Sequence, residues 1–380
     1  MAWRVRVSLP DHLFRGAGAW APGRPRCEGD TMAIDLTGGL SDDREYVFPA
    51  QPDNPDLRES VNAWVWDDGV EFGLPRIGIE AAADQWDTHD IQVNIAFAGG
   101  RVLNMYGPRK VHDPLGADGK ARILGAGPLS FELVEPYRHW KMHLEGPAVV
   151  TSAEDQIGGW KRGVTGGPTV EVRLELDIRP AVPPWESGTL LEEADRVLAT
   201  QEEGDLMGGP RFEQLSRVTG RLQVDDEVHE LNGGGLRIRR AGVRRLATFR
   251  GHVWQSALFP SGRAFGLCLY PPRADGKPTF NEGFLFEGDG ALIPAWVVDA
   301  PWLRELRPTG EDVSVTLETE DGRTTTIHGE SLLSTFAVMG ADIGSPQRLN
   351  LQQAIARYTW DGETANGMME RSSVSDTVAQ

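Results

Sequence analysis

The sequence predicts an all-β protein in which two barrel or sandwich domains follow one another along the chain. Three observations support this fold class. Short stretches of alternating apolar and polar residues recur in both halves and are separated by turn residues. The chain contains 45 Gly and 25 Pro, as expected for many strands joined by turns. With 380 residues it exceeds one ordinary core, and a single helical pattern lies between the two strand-rich halves.

The individual elements follow from local patterns. In the first half, Asn62–Trp66 and Ile91–Phe97 are expected strands that end at Asp-Gly and Gly-Gly turns. Val170–Ile178 alternates most regularly, with Val, Leu and Ile on one face and charged residues on the other. Glu186–Glu203 carries Leu, Ala and Val at helical spacing. In the second half, hairpins are expected at Asp225-Asp226, Pro260-Ser261-Gly262, Glu320-Asp321-Gly322 and Asp361-Gly362.

These elements predict five segments. Residues 1–44 are expected to form a disordered arm or to reflect an over-long start, because residues 1–31 are rich in Arg and lack the apolar core of a signal peptide. The expected segments after this arm are a first β-domain at 45–185, a linker helix within 186–207, a second β-domain at 208–372 and a tail at 373–380.

Composition excludes several classes of function. The formal charge of -18 disfavours nucleic acid and anionic membrane surfaces as partners. No apolar run approaches the ~20 residues of a membrane span. Cys27 and Cys268 are the only cysteines, so a disulfide framework is not expected and the cytoplasm is the default compartment. The acidic and imidazole residues of Trp86–Asp90 and His112-Asp113 lack a third partner at fixed spacing, so we expect no metal, and no phosphate loop suggests a nucleotide cofactor.

The stretch Gly233–Trp254 is the most informative for function. It carries six arginines in an otherwise acidic chain and ends in His252-Val253-Trp254. Residues two apart in a strand share a face, so His252 and Trp254 are expected to point into the same space. The alternative for the arginines is a solvated edge strand, on which charges prevent edge-to-edge pairing.

The order of several motifs resembles the tandem lipocalin-like proteins that include the carotenoid 1,2-hydratases, with a similar two-barrel fold in fungal decalin-forming pericyclases. The resemblance runs through FEQLSRVTG (Phe212–Gly220), GGGLRIR, FRGHVW and GMMER (Gly367–Arg371), and in the first half through Phe131–Gly146. It implies two lipocalin-like barrels in tandem. The hydratases resemble this chain at His252 and Trp254, and their later aromatic-x-Asp pair is matched here by Phe280 and Glu282.

The chain also departs from the family pattern. Family members commonly carry Asp-His-x-Trp-Gly before the FRGH strand, whereas this chain has Ile238–Gly242, with Arg239 and Arg240 in place of the missing groups. Arginine suits a carboxylate or phosphate and disfavours a neighbouring carbocation. If the two arginines alternate in a strand, only one of them faces the cavity.

Three hypotheses for function remain open. The first is a cofactor-free hydratase, dehydratase or related isomerase or cyclase acting on a large apolar isoprenoid, steroid or polyketide by acid/base chemistry in a barrel cavity. Glu282 would be its acid, His252 the partner of that acid, Trp254 an aromatic wall, and Phe280, Arg239 and Arg240 substrate contacts. The second is a lipid- or terpenoid-binding protein that has lost the Asp-His pair. The third is a cyclase that only shapes its substrate. The expected partner is a small apolar molecule, with an acid group as an open possibility.

Overall fold

A computed structural model of the chain describes residues 34–158, 167–190, 211–243, 249–272, 279–339 and 349–374. Within these residues the protein consists of nineteen strands, one short α-helix, Ala153–Ile157, and two 3-10 turns, Asp42–Arg44 and Ala83–Gln85. The strands are β1 Leu57–Asp67, β2 Phe72–Ala82, β3 Thr88–Phe97, β4 Arg101–Lys110, β5 Ile123–Ala126, β6 Leu129–Glu135, β7 His139–Ser152, β8 Thr169–Pro180, β9 Trp185–Glu186, β10 Arg211–Val224, β11 Glu227–Val243, β12 Gly251–Leu258, β13 Ala264–Leu269, β14 Asn281–Phe286, β15 Ile293–Asp299, β16 Val315–Thr319, β17 Thr324–Met339, β18 Leu349–Trp360 and β19 Glu363–Val374.

The strands form two sheets. The first has eleven strands in the order β4-β3-β2-β1-β11-β10-β8-β7-β6-β5, with β9 paired to β10. An additional pairing of β4 with β7 joins distant parts of this path. The second sheet is a closed eight-stranded barrel, β12 to β19 in sequence order, which the pairing of β12 with β19 closes. The all-β prediction is therefore confirmed.

Two apolar cores fill the concave sides of the sheets, and a third lies between them. The core of the first sheet includes Val61, Phe131 and Leu174. The interior of the closed barrel holds Val253, Phe265 and other large side chains. The third cluster joins the outer wall of the barrel to the first sheet, because it combines Trp254, Cys268 and Phe284 from the barrel with first-sheet residues. The main first-sheet members of this cluster are Trp64, Trp66, Leu215, Leu236 and Ile238.

Local predictions from the sequence hold in most places. Strand β8 buries Val172, Leu174, Leu176 and Ile178, as its alternation predicts. Of the charged residues between them, Arg173 and Glu175 are exposed and Asp177 is partly exposed. The predicted Asp225-Asp226 turn joins β10 to β11, and Asp225 adopts a left-handed φ of 49° there. Turns at the other three predicted positions likewise join paired strands.

Other predictions concern the segments between and before the sheets. Most of the predicted helix lies outside the described residues. Its first residue, Glu186, belongs to β9, and the residues up to Leu190 are not helical. Residues 34–44 of the predicted arm include the 3-10 turn, and the Leu36 carbonyl accepts a hydrogen bond from Gln214 Nε2 at 2.9 Å. Residues 1–33 and 375–380 lie outside the described part.

The sheet boundary differs from the predicted domain boundary at residue 208. Strands β10 and β11 pair with β8 and β1 and so belong to the first sheet, whose last residue is Val243. Whether the two sheets are independent domains stays a prediction. The edge-strand alternative is wrong for Arg237, Arg239 and Arg240, because β11 is paired on both sides and all three are buried.

Candidate active site

One row of side chains lies across the outer wall of the closed barrel. Gln353, Glu370, Trp254, Cys268 and Glu282 are successive partners on five neighbouring strands, from β18 to β14. Directly opposed residues on antiparallel strands point to the same face. Because Val253 points into the apolar interior of the barrel, the row with Trp254 points outward to the first sheet. The predicted site residues therefore face the space between the two sheets instead of a cavity inside the barrel.

Trp254 contacts an acidic and a basic side chain of the first sheet. Its indole Nε1 donates a hydrogen bond of 2.9 Å to Glu213 Oε2 on β10. Glu213 Oε1 lies 2.9 Å from Nη2 of Arg211, two residues earlier on the same strand. The Arg211 guanidinium lies 5.2 Å from the centroid of the Trp254 ring, and the Trp64 ring meets Trp254 edge-on at 4.7 Å. All four side chains are buried.

Glu213 is a buried carboxyl group with a raised pKa. Burial raises its pKa to about 7, against the lowering effect of the Arg211 charge, the Trp254 hydrogen bond and the Arg240 charge. The negative charge of Glu282 raises the pKa of Glu213 further. A carboxyl group with this pKa is populated in both protonation states near neutral pH, which suits general acid/base catalysis.

Glu282 lies in a different hydrogen-bonding environment, although it too is buried. Its Oε1 accepts hydrogen bonds from Trp185 Nε1 at 2.6 Å and from the Gly188 backbone N–H at 2.7 Å. Its Oε2 accepts one from the Leu190 backbone N–H at 3.2 Å. Trp185 is also the strand partner of Glu213, so one indole connects the surroundings of the two acids. N–H groups only donate, so these three contacts favour the ionised carboxylate as acceptor.

His252 has a carboxylate partner, but this is Glu370. The Nε2 of His252 lies 3.0 Å from Glu370 Oε1, and its Nδ1 lies 2.7 Å from Ser372 Oγ, so both ring nitrogens are engaged. Glu370 Oε2 accepts a 2.6 Å hydrogen bond from Gln353 Nε2. The hydrogen bond from His252 and the charge of Arg76 outweigh burial and lower the pKa of Glu370.

The network continues from Gln353 into the first sheet. Gln353 Oε1 accepts hydrogen bonds from Gln92 Nε2 at 2.9 Å and from Asn94 Nδ2 at 3.2 Å, both on β3. Arg76 on β2 lies 3.9 Å from Glu370 Oε2. A continuous polar path therefore links the two sheets on one side of Trp254, and the Glu213 group links them on the other.

Aromatic side chains border the wall. Phe280 is buried and packs on Tyr270 with ring centroids 5.2 Å apart. Tyr270 in turn contacts Phe249, whose ring lies 5.5 Å from that of His252. Burial raises the pKa of Tyr270 and raises that of Cys268 to about 12, so both groups are neutral at physiological pH.

The two arginines predicted as substrate contacts lie on opposite faces of β11, as their alternation predicts. Arg239 points into the first sheet, where Nη2 lies 2.5 Å from Glu59 Oε1 and 2.6 Å from the Tyr46 carbonyl. Arg240 is the strand partner of Arg211, and its charge lowers the pKa of Glu213. Of the two, Arg240 is therefore the one near the candidate site, and a ligand contact of either stays a prediction.

The sequence interpretation missed Arg211, Glu213, Trp64, Trp185 and Glu370. Glu213 and Glu370 lie inside the FEQLSRVTG and GMMER motifs, which were used only to recognise the family pattern. The sequence feature that could have identified these two residues was therefore the presence of an acid within each motif. Among the described residues, no group of three or more His, Cys, Asp or Glu side chains is arranged to hold a metal ion. The same residues include no helix with the length and apolarity needed to cross a membrane.

The fold and this site define a tandem β-sheet protein with a buried acid/base cluster between its two sheets. The chain belongs to the family described as a domain of unknown function, DUF7064, whose model matches residues 41–375. No curated protein matches the chain in sequence.

Solved structures share the architecture. A protein assigned as AttH from Nitrosomonas europaea aligns over 92% of this chain and 99% of its own, with a TM-score of 0.51 and 13% identity. CghA in complex with Sch210972 aligns over 84% of this chain and 89% of its own at TM-score 0.48 and 10% identity. Kievitone hydratase from Nectria haematococca aligns over 90% and 97% at TM-score 0.47 and 9% identity. The AttH match confirms the expected resemblance to tandem lipocalin-like proteins at the level of fold.

Proposed function

We propose that the chain is a cofactor-free lyase or isomerase that transfers protons to and from a small, largely apolar molecule bound between the two sheets. The observation that carries this proposal is Glu213, a fully buried carboxyl group whose pKa of about 7 makes it a proton donor at neutral pH. Desolvated carboxyl groups of this kind are concentrated at functional sites.

The two carboxyl groups have complementary roles. Glu213 donates its proton to a departing hydroxyl group, the C–O bond breaks with its electrons going to oxygen, and water leaves. Glu282, whose carboxylate form is stabilised by three N–H donors, accepts the proton from the adjacent carbon. The reverse sequence adds water. Proton transfer without loss of water isomerises the substrate instead.

The positive charge of Arg211 determines which reactions suit this site. Its guanidinium lies over the Trp254 ring and occupies the position from which that ring would stabilise a carbocation. A fixed positive charge favours negative charge developing on the substrate, so proton removal next to an electron-withdrawing group suits this site better than protonation of a bare alkene.

The test is turnover by the full chain. The protein is incubated with a panel of hydroxylated and unsaturated isoprenoids, steroids and polyketides, and gain or loss of water or a shifted double bond is followed by mass spectrometry and NMR. Glu213→Gln keeps the shape and removes the acid, so the rate should fall about 10²–10⁴-fold with folding intact. Glu230→Gln, at an exposed acid on β11, is the matched control. A Glu213→Gln variant as fast as the unaltered chain would reject the proposal and favour a binding protein.

A further inference from the structure

Two buried donors beside Trp254 have no partner in the described part of the chain. These are Nε1 of the Trp64 indole and Nη1 of the Arg211 guanidinium. The Trp64 residue is 1% exposed and Arg211 is 4% exposed. A buried donor without an acceptor has lost its hydrogen bonds to water without replacing them, so most such groups in folded proteins have a partner.

Both donors belong to the candidate site. The Trp64 ring centroid lies 4.7 Å from that of Trp254, and the Arg211 guanidinium lies 5.2 Å from the same ring. The other guanidinium nitrogen, Nη2, is already engaged by Glu213 Oε1 at 2.9 Å and by Ser187 Oγ at 3.2 Å. Cys268 also interacts with the guanidinium, but Nη1 has no hydrogen-bond partner in the described part of the chain. Nη1 is therefore the group left for a further acceptor, next to the proposed proton donor.

We infer that the substrate carries a carbonyl or carboxylate oxygen, for which Arg211 Nη1 and Trp64 Nε1 are the donors. Indole N–H and guanidinium groups donate hydrogen bonds and accept none, so both select an oxygen acceptor and neither suits a hydrocarbon. This inference rests on the proposed function for the location of the substrate. It narrows the substrate class from apolar molecules in general to oxygenated ones.

The residues near Trp254 suit a ligand that combines an apolar body with an oxygen acceptor. The buried apolar cluster that contains Trp254 also includes Leu215, Ile238 and Phe284, which suit an apolar body. The two unpartnered donors lie beside one indole ring, as in sites where a small number of donors orient a mainly apolar ligand. The positive charges of Arg211 and Arg240 on the same wall favour a negatively charged or strongly polarised oxygen.

The test compares three probes with one ring system, 2-ethylnaphthalene, 2-acetylnaphthalene and 2-naphthoic acid, by calorimetric titration into the full chain. We expect the ketone and the acid to bind at least about 10-fold more tightly than the hydrocarbon. Trp64→Phe keeps the ring and removes the N–H, so the ketone should lose about 2- to 10-fold in affinity while the hydrocarbon keeps its own. Trp86→Phe, in the core region of the first sheet, is the matched control and should bind all three probes as the unaltered chain does.

The Trp64 indole resonance gives a second measurement. It is assigned in ¹H–¹⁵N spectra by its loss in Trp64→Phe, and it should move when the ketone is added but not when 2-ethylnaphthalene is added. Equal affinities for ketone and hydrocarbon, no saturable binding of the ketone, or unchanged ketone affinity in Trp64→Phe overturn the inference. A chain that binds the ketone through Trp64 but turns nothing over would uphold it and reject the proposed reaction.

Discussion

Glu213 and Glu370 are two buried carboxyl groups beside the same tryptophan, and their pKa values move in opposite directions. Glu213 lies on the wall of the first sheet and accepts the Trp254 N–H, whereas Glu370 is the strand partner of Trp254 on the barrel. They are 2% and 3% exposed. The pKa of Glu213 rises to about 7, but that of Glu370 falls below its ordinary value.

Similar burial therefore does not decide the protonation of these acids. Glu370 receives the His252 ring and the Gln353 amide on separate oxygens, with Arg76 nearby. These contacts are stronger than the cost of desolvation. Glu213 has an indole donor and the Arg211 ion pair, but it also faces the negative charge of Glu282. The balance of donors and neighbouring charges makes Glu370 a fixed anion and Glu213 a group that exchanges its proton.

The largest expected difference between the two acids is in how much their substitution by Gln changes folding stability. Glu370→Gln removes the charge from a buried network that joins the barrel to the first sheet, and we expect it to lower the free energy of unfolding by about 3 kcal/mol at pH 8. Glu213→Gln at the same pH removes a charge that is costly to bury, so this variant should be at least as stable as the unaltered chain. Urea denaturation of both variants measures the difference. Equal losses in the two variants would mean that the hydrogen-bond balance does not distinguish these sites.

The sequence predicted the strands better than the site, for a physical reason. Alternation along β8 or the turn at Asp225 is local, so a few neighbouring residues specify it. The spacing of His252 and Trp254 correctly placed them on one face, but periodicity does not distinguish the inside of a barrel from its outer wall. That distinction depends on what fills the interior, here an apolar cluster that includes Val253, Phe265 and Tyr358.

The contacts that give the site its chemistry join distant parts of the chain. Trp254 binds an acid 41 residues earlier in the sequence, and Trp185 binds one 97 residues later. Neither separation has a local signature, because each pair meets only when the barrel packs on the first sheet. Resemblance led to Glu282 through its aromatic-x-acid motif, but it did not indicate that His252 pairs with Glu370.

The pH dependence of stability should differ in sign between the two acids. The pKa of Glu213 in the folded chain lies above its ordinary value of 4.5, so its contribution is fully present below pH 4.5 and is lost as the pH rises through about 7. The free energy of unfolding should therefore fall by about 1.4 kcal/mol per pH unit from this group between these limits. The lowered pKa of Glu370 gives a contribution that is present above pH 4.5 and lost as the pH falls through its folded value.

Denaturation at pH 5, 6, 7 and 8 measures both contributions. The stability difference between the unaltered chain and Glu213→Gln should shrink, and then reverse in favour of Gln, as the pH rises from 5 to 8. The difference between the unaltered chain and Glu370→Gln should stay constant over this range. A Glu213→Gln difference that is flat with pH would show that Glu213 is ionised throughout and would remove it as the proton donor.

The smallest expected effect is on the pKa of Glu213 itself and tests which contact tunes it. The Trp254 N–H stabilises the ionised form and lowers this pKa, so Trp254→Phe should raise it above about 7. A hydrogen bond to an ionised group contributes roughly 1.5–3 kcal/mol, so the expected rise is at most about two pH units. Trp86→Phe, in the core region of the first sheet, is the matched control, because its ring belongs to a different cluster from Trp254. Carboxyl ¹³C resonances of labelled protein, assigned with Glu213→Gln, follow the titration directly. If the Glu213 midpoint is unchanged in Trp254→Phe, burial and the neighbouring charges alone set its pKa, and Trp254 acts in this site only through its ring.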